Sequence, residues 1–116
     1  MKLIDIHAHM DMHEYGNDLS EVLQRAEKAG VAAVISNGTD KNSNRKVLEL
    51  SRKYPLIKAA LGLYPMDALR REQLAMKMKK EDIDINVDEE IEFIKKHRDE
   101  VIALGEIGLD FMNSNA

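Results

Sequence analysis

Apolar positions along this chain follow two alternating rhythms. Four runs, "LIDIHAH", "VAAVISNG", "IKAALGLYP" and "VIALGEIGLD", are short, nearly continuous in Val, Ile, Leu and Ala, and read as strands covered on both faces. They predict strands over residues 2–9, 31–38, 57–65 and 101–110. The segments between them repeat every three to four residues, as amphipathic helices do. After a polar turn at 14–17, a helix is expected from Asp18, with Glu21 placed as in a capping box. Its apolar face is Leu19, Val22, Leu23 and Ala26, and Gly30 stops it. A second helix runs from after Thr39 to about Lys53, with Val47, Leu50 and Tyr54 at helical spacing and Pro55 as terminator. Residues 66–80 read as helical with poor periodicity and 81–86 as a loop, and Asp88 caps a short helix carrying Ile91 and Ile94.

Strands that alternate with helices predict right-handed βαβ units and a parallel sheet, because parallel neighbours need long crossovers. The fold class is therefore α/β. The exceptions to apolar character fall at one end of each strand: His7 and His9, Asn37 and Gly38, residues 62–65, and residues 106–110. That C-terminal edge is where parallel α/β folds place their chemistry.

Length and composition narrow the setting. The 116 residues have room for one core, so residues 1–116 are read as a single domain. A net charge of −4 supplies no global basic field, so contact with a polyanion has to come from a local patch. The absence of cysteine rules out disulfides and thiolate metal sites and fits a reducing compartment. The first residues do not form a signal peptide and no run reaches membrane-spanning length, so the expected location is the cytoplasm, with no membrane contact.

The His7-Ala8-His9 triplet carries the most specific chemistry. Alternation along a strand puts Asp5, His7 and His9 on one face, with successive Cα atoms of that face roughly 7 Å apart. Two imidazoles so placed can tilt toward one cation. The same residues can equally be hydrogen-bonded core histidines, since short motifs match by accident.

Three signatures in order break that tie. "IDIHAHMD" on the first strand, "ALGLYP" at the end of the third and "ALGEIGLDF" at the end of the fourth resemble the TatD family of metal-dependent hydrolases, over essentially the whole chain. That family belongs to the amidohydrolase-like β/α barrels, and its better-known members are divalent-metal deoxyribonucleases and phosphodiesterases. The resemblance implies a parallel, four-stranded (βα) half of a TIM-type barrel, strand order 1-2-3-4. It implies that His7 and His9 are paired ligands of one metal and that Glu106 is the carboxylate bridging two, and hence the catalytic residue. The implied cofactor is a divalent ion, zinc, manganese or magnesium, with imidazoles favouring the softer ions. Phosphoester bonds, including those of nucleic acid, are the implied substrate. The family's third-strand signature often has histidines flanking the proline, where this chain has Tyr64-Pro65-Met66, so contacts attributed to those histidines do not transfer. The family's further ligands, two histidines and an aspartate on strands five, six and eight, have no positions among these residues.

The other polar residues have plainer readings. Asp5 either orients a ligand imidazole or pairs with nearby backbone. Asp110 reads as a loop or cap residue, His13 as solvated, and His97, among Lys95, Lys96 and Arg98, as helix surface. Arg70, Arg71, Lys77, Lys79 and Lys80 form either a solvated face or a phosphate contact. Three functions are compatible with this pattern: a hydrolase completed by a homodimer or a complementing second half-barrel, a catalytically inactive truncated half-barrel, or an open flavodoxin-like binding module. Completion is expected because the two outer strands would have bare edges, and alternation puts Leu3, Ile102 and Leu104 on an uncovered inner face.

Overall fold

A computed structural model describes residues 1–65 and 86–109. Among them the chain forms β1 (Leu3–Ala8), α1 (Leu19–Lys28), β2 (Val31–Asn37), α2 (Lys41–Lys53), β3 (Ile57–Gly62), α3 (Val87–Lys96) and β4 (Ala103–Gly105). Single 3-10 turns at Gly16–Asp18 and Arg98–Glu100 lead into α1 and out of α3. The expected helix at 66–80, the loop from 81, the basic run from Arg70 to Lys80, and Asp110 lie outside the described residues.

The sheet is parallel throughout and ordered β1-β2-β3-β4. That order excludes the flavodoxin-like alternative, in which β1 would sit beside β3. Instead each strand lies next to its successor, as in one curled half of a barrel.

Register shows which face the helices cover. Val34 pairs with Ile57 and Ser36 with Ala59, and parallel partners point the same way. Val34 and Ile57 pack with Leu19 and Leu23 of α1 and Leu50 of α2. Further along, Ala59 and Leu61 pack with Val47 and Leu48 of α2 and with Phe93 and Ile94 of α3. The core thus lies between the sheet and one outer layer of helices, and each fully buried Leu, Ile or Val there contributes about 1.5–3 kcal/mol. Leu61 pairs with Leu104, so Leu104 faces this helical layer and not the inner face that simple alternation assigned to it. With Ile91, Ile94, Val101 and Ile107 it lines an apolar groove of about 780 Å³ between α3 and β4.

Local signals set the helix ends, with two corrections. Asp18 makes no side-chain cap bond, because the 3-10 turn before it runs straight into α1 and leaves its backbone nearly helical. The α3 cap is Asn86 in place of Asp88; its side chain accepts the Glu89 N–H. At α2 the cap is Asp40, accepting from Ser43 N at 2.8 Å, and Tyr54 before Pro55 is extended, as a pre-proline residue prefers. Gly30 has φ +97°, a left-handed conformation that ends α1 and turns its carbonyl to the Leu3 N–H. No helix among the described residues is long and apolar enough to cross a membrane.

Candidate metal centre

Two strand ends create the site, and both depart from regular alternation. On β1 the pairing with β2 advances three residues from Asp5 to Ala8 while β2 advances two, from Val34 to Ser36. The extra residue is a bulge, a device that re-aims side chains near active sites. Ala8 keeps its place against the helical core while His7 and His9 come together on the open side, ring centroids 5.1 Å apart and nearly perpendicular. Just beyond, Met10 N–H donates to the buried Ser36 hydroxyl at 3.0 Å, and Ser43 Oγ donates to Asp11 at 2.6 Å, which fastens the chain leaving His9.

The second strand end belongs to β4. Sequence alone carries this strand to residue 110, yet the ladder stops at Gly105. Gly105 faces inward, since a Cβ there would collide with the Asn37 side chain. Strict alternation would then send Glu106 outward with Leu104. Its backbone prevents this: Glu106 has φ +49°, the one non-glycine residue with positive φ among those described. This left-handed turn swings the carboxylate back to the inner side. A non-glycine residue held there is strained by roughly 1–3 kcal/mol, and such strain gathers at functional sites.

Glu106 Oε1 consequently lies 3.2 Å from His7 Nε2 and 3.7 Å from His9 Nε2. One ligand atom from each of the three residues lies within 4.8 Å of the others, the one such group among the described residues. Two donors held at 2.0–2.1 Å by a tetrahedral ion stand about 3.3 Å apart, so this spacing suits a shared cation. The donor chemistry agrees: two imidazoles and a carboxylate form a His₂Glu set with an open fourth position. His9 is also oriented for it. Its Nδ1 is 2.9 Å from the Asn37 backbone carbonyl, which can only accept, so in the neutral ring Nδ1 carries the proton and Nε2 keeps its lone pair. Access is graded, with the Glu106 side chain 15% exposed, His9 32% and His7 56%.

The remaining candidates resolve simply. Asp5 takes the backbone role, accepting the His7 N–H at 3.0 Å. His13 is solvated beside Glu14. His97 is not free helix surface: its side chain is only 20% exposed, stacks on Phe93 and bonds Glu100 at 2.8 Å through Nδ1. Sequence reasoning passed over Asn44 and Glu90, both buried behind the strand ends. The available signal was a polar residue on an apolar stripe, Asn44 before Val47 and Leu48, and Glu90 before Phe93 and Ile94.

Comparison with known proteins agrees with this architecture. The family model described as TatD related DNase matches residues 4–116. The chain is 31% identical to deoxyribonuclease TATDN3 of Homo sapiens over 111 residues, covering 94% of this chain and 38% of that protein. It is 33% identical to the uncharacterized metal-dependent hydrolase YabD of Bacillus subtilis (strain 168), again over 94% of this chain and 38% of the relative. Among solved structures, the TatD homolog YJJV from Escherichia coli K12 superposes with a TM-score of 0.71 at 31% identity, covering 97% of this chain and 39% of that one. The chain spans 36–41% of the length of the curated relatives it matches.

Proposed function

We propose, from the premise that this chain belongs to the family of TatD related DNases, that His7, His9 and Glu106 hold a divalent metal ion in a centre for hydrolysing phosphoester bonds of nucleic acid. The observation that carries the assignment is the convergence of three ligand atoms from two separate strand ends. Such an ion, when bound, supplies positive charge against the anionic transition state of phosphoester hydrolysis. The chain's own groups have distinct tasks. The Asn37 carbonyl fixes the His9 ring so that Nε2 faces the site as an acceptor. His7, the more exposed imidazole, completes the pair. Glu106 directs one oxygen at both rings and would complete the ligand set, the role in which its carboxylate serves catalysis.

The names of the relatives support the substrate class, since TATDN3 is called a deoxyribonuclease and YabD a metal-dependent hydrolase. The segment holds part of the length of those proteins, and the proposed centre is the part of the reaction site that it carries. The edges of β1 and β4, unpaired among the described residues, are assigned to contact with a second half-barrel, another copy of this chain in a homodimer.

Titration calorimetry with zinc and with manganese tests the centre. One ion is expected to bind per chain, with binding lost in the His7→Ala/His9→Ala double variant. Equal binding by wild type and double variant would remove the assignment.

A further inference from the structure

Glu106 sits where it does because of what lies behind it. Asn44, on α2, is fully buried, and its amide treats Gly62 as a strand partner would. Nδ2 donates to the Gly62 carbonyl at 2.8 Å, and Oδ1 accepts the Gly62 N–H at 3.1 Å. Nδ2 also donates to Glu90 Oε1 at 2.8 Å, which fixes the orientation of the amide. Glu90, on α3, is 2% exposed and takes the Arg45 guanidinium on both oxygens at 2.8 Å. Arg45 in turn donates to the Lys41 carbonyl and lies 3.7 Å above the Phe93 ring. On its other side Asn44 presses on Gly38, where a Cβ would meet its side chain.

The Asn44 amide therefore clamps the end of β3 while packing against Gly38 just past β2, and Gly62 passes the constraint on. Its Cα faces the Gly105 carbonyl so closely that no side chain fits between them, and the Glu106 nitrogen is 3.2 Å from where a Cβ would stand. The Gly105–Glu106 peptide rests on Gly62, immediately before the N–Cα bond about which Glu106 takes its left-handed φ.

We propose that Asn44 and Glu90 are positioning residues for Glu106, acting through the Gly62–Gly105 backbone contact to hold its carboxylate toward His7 and His9. With Glu90 buried and Arg45 partly exposed, this ion pair is a weak source of stability, because desolvation offsets much of its attraction. What this pair provides is a fixed amide beneath the strand ends. The consequence for metal affinity rests on the function proposed above; the consequence for the Glu106 backbone does not.

Backbone and side-chain NMR of the full chain, with zinc titration alongside, tests the inference. Asn44→Asp preserves size and the acceptor for Gly62 N–H but loses the donor to the Gly62 carbonyl and repels Glu90. It is expected to move the Glu106 13Cα and 13Cβ shifts away from left-handed values and to weaken zinc binding roughly 10- to 100-fold, the range for groups that orient ligands. Glu90→Gln, a milder change that decides the matter should Asn44→Asp not fold, is expected to shift Glu106 less but in the same direction. Arg52→Ala, which removes a remote surface pair, is the structural control and leaves the Glu106 signals unmoved. Unchanged Glu106 signals in Glu90→Gln, or in a folded Asn44→Asp, would overturn the inference. Shifted signals with zinc affinity equal to wild type would overturn it too. Shifted signals in a protein whose wild type binds no zinc would uphold the positioning of Glu106 and refute the metal centre.

Discussion

His9 Nδ1 and the Asn37 carbonyl oxygen are 2.9 Å apart, so a ring at the end of β1 is held by backbone at the end of β2. Since a carbonyl has no proton to give, this one contact selects the tautomer of the neutral ring. The prediction is that, in metal-free protein with the ring neutral, His9 is the Nδ1–H form. Nitrogen chemical shifts in a long-range 15N correlation spectrum distinguish the two forms. A dominant Nε2–H form would mean that the Asn37 contact does not persist in solution.

Glu106 sets function against stability. Its left-handed backbone costs about 1–2 kcal/mol for a residue with a Cβ and little for glycine, which gives back part of the gain as conformational entropy. Glu106→Gly is therefore expected to be as stable as wild type or up to about 1 kcal/mol more stable, although it removes the carboxylate facing both imidazoles. Urea unfolding measures the first effect and zinc titration the second. A loss of 2 kcal/mol or so would show that the glutamate side chain supports the fold, contrary to the strain argument.

A cluster at the C-terminal ends of α2 and α3 gives a pH signature. Hydrogen bonds from Arg52, then from His97, hold the Glu100 carboxyl down at about 2, and the same carboxylate raises the Arg52 guanidinium. A carboxylate whose folded pKa is depressed stabilises the fold above its unfolded pKa, and that contribution fades as pH falls toward the folded value. In Arg52→Ala the urea midpoint should lie modestly below wild type at pH 7, the gap narrowing from about pH 4.5 and closing near pH 2. A gap that stays constant down to pH 2.5 would place the effect of Arg52 in packing.

How far the sequence carried the structure differs from element to element. Strand positions and the parallel sheet were readable because unbroken apolar runs and helical periodicity report burial directly. His7, His9 and Glu106 were singled out as ligand candidates through the order of their motifs, each at a strand end, and the fold brings them together. What alternation could not supply was local backbone geometry. The bulge in β1 and the positive φ of Glu106 each change the face a residue presents, and no periodic pattern encodes them. Leu104 was assigned to the wrong face for a related reason: the count ran through a bend at Ile102 before β4 begins. Asn44 and Glu90 went unremarked because a polar residue among apolar neighbours acquires meaning only when its partners, 18 and 46 residues away, are known.

The two outer strands make the last prediction. β1 and β4 each pair on one side only among the described residues, and large apolar side chains stand in the open on or beside both: Ile4 is 60% and Ile6 73% exposed on β1, Leu104 62% on β4 and Ile107 73% just after it. Unpaired backbone beside exposed isoleucine and leucine invites another strand, and apolar surface of this kind marks a contact site. A two-fold arrangement satisfies both edges at once, with β4 of one copy beside β1 of the other, and closed two-fold assemblies are the commonest oligomers. Sedimentation equilibrium at tens of micromolar is expected to give a dimer, and Ile6→Lys together with Leu104→Lys to shift it toward monomer. Neither side chain belongs to the buried clusters of the core, so the double variant should keep its circular dichroism spectrum. A wild-type protein that sediments as a well-behaved monomer would refute the assembly while leaving the metal centre to its own test.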